Sequence, residues 1–311
     1  MAHSLAVRGW SVTVLDQAPG VGAGASGLPT GLAAPHVSPD DNVLSRITRA
    51  GVQATLQRAQ ALLQSGTDWA QTGVLEHNLA GKRRLPSNTS DHHSAPASAA
   101  QIAAAGLPPD TPALWHEQAG WVRPRQLVAA QLRTPGVQVR WSQAVHTIER
   151  RDQTWAVLNA QGHTLAQALW LVVASAFDSL SLLQPLPGFA VPLNPLRGQV
   201  SFGLMADLTE AQRQRLPPFP VNGHGSFISG VPTPEGPPGW FIGATFERDC
   251  SHSPVRAEDH IANRLRLATL LPTLGDAMAT QFDCHRFTHQ IHGTLGCVVP
   301  SKAWTRANAC G

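Results

Sequence analysis

The sequence predicts an α/β protein, with a Rossmann-like nucleotide-binding domain interleaved with a second, mixed-sheet domain. Three observations carry this expectation. A short helix, Ala2 to Val7, feeds a β-branched apolar strand, Ser11 to Asp16, which is the second half of a βαβ unit ending in an acid. Strand and helix patterns fill the early chain, whereas beyond Pro185 it becomes proline-punctuated and strand-rich. A length of 311 residues with 42% hydrophobic content supports two domains, or one large domain with an insertion. The expected division assigns 1–72, 120–188 and 285–311 to the nucleotide-binding domain, and 73–119 and 189–284 to the other.

Each element has its own local cause. Gly9 closes the first helix, where a left-handed residue is favoured, and the strand up to Asp16 has the composition of a buried parallel strand. A Gly/Pro/Ser-rich loop runs from Gln17 to Asp41. An amphipathic helix over about 42–65 follows, capped by Asp40, Asp41 or Asn42, with Val43, Ile47, Ala50, Ala54 and Ala61 at helical offsets. Val74 to His77 reads as a short strand, and Ser/Ala-rich 87–106 as part loop and part helix. Leu114–His116 and Trp121-Val122 read as strands around a Gly120 turn, and Pro124 opens a helix through Leu132. Further strands are expected at Val137–Trp141, Val145–Glu149, Trp155–Asn159 and Ala168–Ala174, with Gln161-Gly162 as a hairpin turn. The later block offers strands at Gly198–Leu204, Ser226–Gly230 and Trp240–Phe246. A helix over 257–271 carries Ile261, Leu265 and Ala268 on one face.

Composition narrows the function classes. No run of about 18 apolar residues is present, which excludes a membrane-spanning helix. The N-terminus lacks the basic-then-apolar-then-small pattern of a secretory signal. A net charge of +3 permits polyanion binding without announcing it. The cysteines, Cys250, Cys284, Cys297 and Cys310, form no C-x-x-C pair, which argues against a disulfide framework or a structural zinc site and fits a reducing cytoplasmic setting. His92-His93 lie in a Ser/Ala/Pro/Asp-rich stretch that reads as solvated loop, so no metal is expected.

Gly22-Ala-Gly-Ala-Ser-Gly27 spells the dinucleotide fingerprint directly after a strand. That fingerprint needs a helix opening at its third glycine, so that the helix N-terminus meets the pyrophosphate. Here Leu28-Pro29-Thr30-Gly31 and then Pro35 follow, which do not propagate a helix. The alternative assigns the ribose-binding role to Asp16, and the phosphate-binding glycines, roughly 20 residues earlier, would then lie ahead of Met1. On that reading Gly22–Gly27 is a later loop whose small residues admit a large flat cofactor, and the first strand of the sheet is missing.

Gly9-Trp-Ser-Val-Thr-Val-Leu-Asp16, Gly24-Ala-Ser-Gly27 and Gly31-Leu-Ala-Ala-Pro-His36-Val-Ser-Pro-Asp40 resemble the FAD-dependent amine and amino-acid oxidases of the D-amino-acid oxidase fold. Ala34 to Asp41 with Leu44-Ser-Arg46 resembles one branch, the oxidoreductase domain of the bacterial tRNA wobble-uridine modification enzymes of the MnmC family. Gly120-Trp-Val-Arg-Pro124, Leu196-Arg-Gly-Gln199 and Ile242 to Arg248 fit the wider fold. The resemblance implies an FAD-binding domain, a mixed-sheet substrate domain and tRNA as substrate. It also implies oxidative removal of the carboxymethyl group from 5-carboxymethylaminomethyl-2-thiouridine. Its relatives carry a fused methyltransferase domain to which nothing here corresponds. A flavin does the redox chemistry itself, so the absence of an evident acid–base pair or Ser/His/Asp set is no obstacle, and no catalytic residue is assigned.

By the same resemblance Asp16 would bind the adenosine ribose, and the backbone of Val145 the adenine. Gly24, Ala25, Ser26 and Gly27 would follow the pyrophosphate and ribityl chain, and Gly31, Leu32 and Ala33 would lie by the isoalloxazine. Ala174 would end the second cofactor-contacting strand. Arg197, Gln199 and His36 would face substrate, unless the first two serve as a sheet-edge pair and the histidine as a structural one. Val298 stands where the family carries a carboxylate-binding arginine, and the tail 301–311 departs from the pattern. A reading-frame shift near 290–298 is the expectation. With the opening strand absent, weak or absent FAD binding is expected, and an inactive fragment is one expectation for the chain. The alternatives are a free glycine or sarcosine oxidase, a non-catalytic RNA-binding remnant using Lys82-Arg83-Arg84 with Arg123 and Arg125, and a nicotinamide dehydrogenase using Gly22–Gly27.

Overall fold

A computed structural model describes residues 1–79, 85–86, 93–189, 193–233, 236–250, 255–282 and, as backbone, 293–298. Helix α1 (Ala2–Ala6) leads through Gly9, at φ +87°, into strand β1 (Val12–Leu15). A 3-10 turn at Ala25–Gly27 precedes β2 (Gly31–Ala33) and α2 (Val43–Leu62). Next come β3 (Trp69–Ala70), β4 (Val74–His77), β5 (Ser94–Pro96), α3 (Ala99–Ala104), β6 (Ala113–His116), β7 (Gly120–Val122) and α4 (Pro124–Leu132). β8 (Val137–Arg140), β9 (Thr147–Arg151), β10 (Thr154–Leu158) and β11 (Thr164–Ala168) follow, then a 3-10 turn at Ala176–Asp178 and α5 (Ser179–Leu183). The later chain forms β12 (Leu193–Gly198), β13 (Ser201–Leu204), α6 (Glu210–Arg213), β14 (Val221–Gly223), β15 (Gly225–Pro232), β16 (Pro238–Gly243) and β17 (Glu247–Arg248). It closes with α7 (Ala257–Leu270), α8 (Pro272–Ala277) and β18 (Gly293–Val298).

The largest sheet has the order β13-β16-β15-β14-β4-β6-β5, so strands from two distant segments interleave. β14 runs parallel to β4 and the other pairs are antiparallel, which makes the sheet mixed. Its inner face buries Leu75, Val221, Phe227, Trp240 and Ile242 against Leu267 and Leu270 of α7, Leu274 of α8 and Leu271 between them. Three smaller sheets complete the frame at the side of the Gln17–Asp41 loop. β1 pairs in parallel with β8, β2-β7-β3 lies beneath α2, and β9, β10 and β11 form a meander around the Gly162 turn. The fourth small sheet, β17-β12-β18, ties the late chain to that side.

Several sequence expectations are corrected. The Gln17–Asp41 loop contains β2, because Gly31, Leu32 and Ala33 find Val122, Trp121 and Gly120 as antiparallel partners. Gly120 is therefore a strand residue and not a turn; a Cβ there would collide with the carbonyl oxygen of Ala70, so the close strand approach demands glycine. The strand expected at Val145 begins at Thr147, leaving Val145 in the segment before it. The expected strand 168–174 is replaced by β11; residues 169–175 have no ladder partner among the described residues, and Leu169, Trp170 and Val172 are exposed. The expected strand 198–204 is two strands in different sheets, because the chain crosses from one sheet to the other at Gln199-Val200. The strand expected at Trp240–Phe246 stops at Gly243.

The helix predicted at 42–65 forms, and Asn42 caps it by accepting the Ser45 N–H at 3.0 Å. Its apolar stripe, however, points away from the protein: Val43 and Ile47 are exposed, and the buried positions are Ser45, Leu56 and Ala59. On α7 likewise Ile261 and Leu265 are exposed, while Asn263, Leu267 and Leu270 are buried.

Candidate cofactor and substrate site

Parallel β1 and β8 end side by side, and loops leave their carboxyl ends at Asp16 and Arg140, where open α/β sheets bind ligands. Asp16 is exposed, and its Oδ1 accepts the Ala18 N–H at 2.8 Å, which fixes the turn after the strand. The Gln143 N–H donates to the Asp16 carbonyl at 2.9 Å, so the segment leading to Val145 is held against the same strand end. Gln17 Nε2 reaches Asp178 Oδ2 at 3.4 Å, bringing the turn just beyond Ala174 to that point as well.

The glycine motif folds as a tight loop. No helix starts at Gly27; the Ala25–Gly27 turn ends there with the Gly27 N–H bonded to the Gly24 carbonyl at 2.8 Å. A Cβ on Gly27 would run into the Gly22 carbonyl oxygen, while Gly24 has open space around it. The fingerprint reading is thereby excluded, because the helix N-terminus that it requires is absent at this loop. Immediately after it, Thr30 Oγ1 is buried without a protein partner, the kind of group a bound molecule satisfies. Gly31 packs under Pro124, Leu32 is half-buried, and Ala33 is buried beneath α2.

The backbone of β18 lies against both the Ala25–Gly27 and Ala176–Asp178 turns while pairing with β12, in a register that sets Arg197 beside Thr294. Arg197 is thus carried toward the loop side of the molecule. Its guanidinium is buried, with Nη1 2.6 Å from Asp259 Oδ2 and Nη2 3.0 Å from Gln199 Oε1. Gln199 also donates through Nε2 to the Arg256 carbonyl and accepts the Arg256 N–H, and Arg256 in turn pairs with Glu247 at 2.9 Å. Glu247 raises the already high pKa of Arg256, so this guanidinium stays charged. Nearby, Ser201 Oγ lies 2.7 Å from His260 Nδ1, and burial lowers the pKa of His260 against the opposing pull of Asp259.

His36 is held by another element. Its N–H donates to Thr48 Oγ1 at 2.9 Å, and Nδ1 lies 3.1 Å from Ser45 Oγ, both on α2. The structure therefore gathers Asp16, Gln143 in the segment before Val145 and the turn after Ala174 at one strand end, seats Gly24–Ala33 on the α4 and β7 side, and joins Arg197 to Gln199. Sequence reasoning misses Asp259, Glu247 and Ser45 as supports, since their partners lie 62, 50 and 9 residues away without a sequence signature. Arg123 pairs with Asp68, and Arg125 packs over Gly22. Lys82-Arg83-Arg84, His92, Cys284 and Cys310 lie outside the described residues, as do the tail and the side chains of Cys297 and Val298. Among the described residues no cluster of His, Cys, Asp or Glu could hold a metal, and no helix is long and apolar enough to cross a membrane.

Parallel strand ends, a small-residue loop and an interleaved mixed sheet form the α/β architecture shared by FAD-dependent oxidoreductases, the class to which the family match assigns the chain. The family described as FAD dependent oxidoreductase (DAO) matches residues 1–294, and the chain belongs to it. Among curated relatives, it is 48% identical over 305 residues to the "tRNA 5-methylaminomethyl-2-thiouridine biosynthesis bifunctional protein MnmC" of Delftia acidovorans, covering 91% of this chain and 47% of that protein. The same-named protein of Polaromonas naphthalenivorans is 44% identical over 97% of this chain and 48% of its own length. The chain thus spans about half the length of the curated relatives it matches. Among solved structures, glycine oxidase from Bacillus cereus superposes with a TM-score of 0.65 at 18% identity, covering 88% of this chain and 75% of that one. Iminodiacetate oxidase from Chelativorans gives 0.63 at 20% identity, with 89% and 76% covered. These structures share the fold.

The residues present fit much of an FAD: an exposed acid at a strand end, a glycine loop with open space at Gly24, and the unpartnered Thr30 hydroxyl. A helix N-terminus for the pyrophosphate at the glycine loop is not part of that fit.

Proposed function

We propose that this chain is the oxidising half of a two-part tRNA-modification enzyme. Its substrate would be the carboxymethylaminomethyl group of 5-carboxymethylaminomethyl-2-thiouridine at the wobble position. The observation that supports the reading is the identity of 44–48% across nine-tenths or more of this chain to relatives named for tRNA 5-methylaminomethyl-2-thiouridine biosynthesis. Bound FAD supplies a two-electron acceptor. The substrate C–H beside the secondary amine is oxidised with loss of a hydride equivalent and a proton, giving an imine. Water then cleaves the imine to the aminomethyl base and glyoxylate, so atoms and electrons balance.

The protein's part is orientation and exclusion of water. Asp16 would accept the ribose hydroxyls, and the Val145 backbone would meet the adenine. Gly24, Ala25, Ser26 and Gly27 would let backbone approach the ribityl chain, with Thr30 Oγ1 donating beside them, and Gly31, Leu32 and Ala33 would form the floor. On the substrate side Arg197, positioned by Gln199, suits a carboxylate bidentately once it shares or exchanges Asp259. His36, held by Ser45, would border the flavin. Under this reading the segments 73–119 and 189–284 form the substrate domain, and the enzyme works in the cytoplasm.

The experiment is to incubate the FAD-loaded chain with tRNA bearing the carboxymethylaminomethyl nucleoside and to analyse the digested nucleosides by mass spectrometry. Conversion to the aminomethyl nucleoside with equimolar glyoxylate supports the reading. Peroxide from free glycine or sarcosine with tRNA unchanged would replace it with a free amine oxidase.

A further inference from the structure

Helix α2 is amphipathic the wrong way round for a helix whose only task is to cover its own core. The face turned inward presents Ser45, Thr48, Arg49 and Val52 with Leu56 and Ala59, and the polar members are tied to Asn42, His36 and Asp41. The face turned outward carries Val43, Leu44 and Ile47 at 59%, 54% and 63% exposure, continued by exposed Ala50, Gly51, Ala54 and Ala61. At 100° per residue Val43 to Ala54 form one apolar stripe over the first three turns of the 20-residue helix, and Arg58 interrupts the same face before Ala61. Contiguous exposed apolar stripes of this kind mark interaction surfaces.

We propose that the outward face of α2 seats the companion domain that makes up the other half of this chain's relatives. The inference rests on the two-part reading above. Two observations select this occupant. The chain covers 47–48% of the Delftia and Polaromonas proteins, so a partner of similar size is joined to the matching part there. The stripe is also too small for a free dimer. A helix about 30 Å long and 10 Å wide offers on the order of 300 Å², against about 800 Å² per partner in a stable complex. A covalently joined domain needs far less, because its effective concentration reaches the millimolar range. The partner face is therefore apolar where it meets Val43 to Ala54, since Ile47, Ala50, Gly51 and Ala54 include neither acid nor base, and it leaves Arg58 at the far end of that patch.

The test is cysteine accessibility. Ile47→Cys and, as a second and milder probe, Ala54→Cys are placed in this chain alone and in a fusion with the half of the Delftia protein that it does not match. Gln161→Cys on an exposed turn is the control. The readout is maleimide labelling followed by peptide mass analysis. Labelling of the Ile47→Cys or the Ala54→Cys variant is expected to slow at least about tenfold in the fusion, as a weak interface at millimolar effective concentration requires. The Gln161→Cys control is expected to label at the same rate in both contexts. Equal rates at both α2 probes in the fusion overturn the proposal. So does protection in the unfused chain that grows with protein concentration, which would make a second copy the occupant. The labelling reads contact and not catalysis, so it fails independently of the tRNA assay.

Discussion

Glu76 of β4 and His116 of β6 meet diagonally across the strand pair, fully buried, with Nε2 3.1 Å from Oε2, and Ser94 Oγ closes the far ring nitrogen at 2.8 Å. Removing the imidazole takes one hydrogen-bond partner from the buried Glu76 side chain and another from Ser94. His116→Ala is therefore expected to cost about 1–3 kcal/mol in urea unfolding; no measurable loss would show that the contact is inessential. Pattern singles out neither residue, because Val-Leu-Glu-His gives no sign that the glutamate side of β4 is also covered. Gly120→Ala forces β7 from β3 and is expected to lower stability by about 1–3 kcal/mol, as overpacking does. His260 gives a pH signature. Burial disfavours its charged form in the folded state, so the unfolded chain binds the proton more readily. Stability then falls as pH drops below the ordinary value of 6.5 and levels off under the lowered folded value. His260→Gln should flatten that limb of a plot of unfolding midpoint against pH, and an unchanged limb would locate the effect elsewhere.

At the scale of elements, existence is legible in the sequence and facing is not. Asn42 and the following run mark α2 correctly, and Asn42→Ala is expected to cost about 1 kcal/mol in thermal unfolding through loss of the Ser45 N–H acceptor. The same apolar periodicity that reveals the helix cannot say whether the stripe meets this chain's core or another surface, and in α2 it turns outward. Leu169 to Ala174 has the composition of a strand, yet β-propensity describes fit to a neighbour, and no ladder partner exists for it among the described residues. The run from Gly198 to Leu204 is split for a comparable reason. Its backbone groups are claimed by two sheets, Gly198 pairing with Gly293 and Ser201 with Ile242.

Across the whole molecule, the fold class and the rejection of Gly22–Gly27 as a helix-opening fingerprint follow from local physics: a strand ending in an acid, then prolines where a helix would have to grow. The assembly of the site is less accessible. Arg197 reaches the loop side through pairing of β12 with β18 about 100 residues later, and Asp16 meets Asp178 through Gln17, contacts that no spacing encodes. The cofactor assignment stands on the carboxyl ends of β1 and β8 being an FAD cradle with Asp16 as its ribose acceptor. Titrating the wild-type chain and Asp16→Asn with FAD, followed by flavin fluorescence, tests this most directly. Saturable binding is predicted, weakened by about 10-fold or more in the variant, the worth of a hydrogen bond to a charged group. Equal affinity in both proteins, or no saturable binding by the wild type, would contradict it.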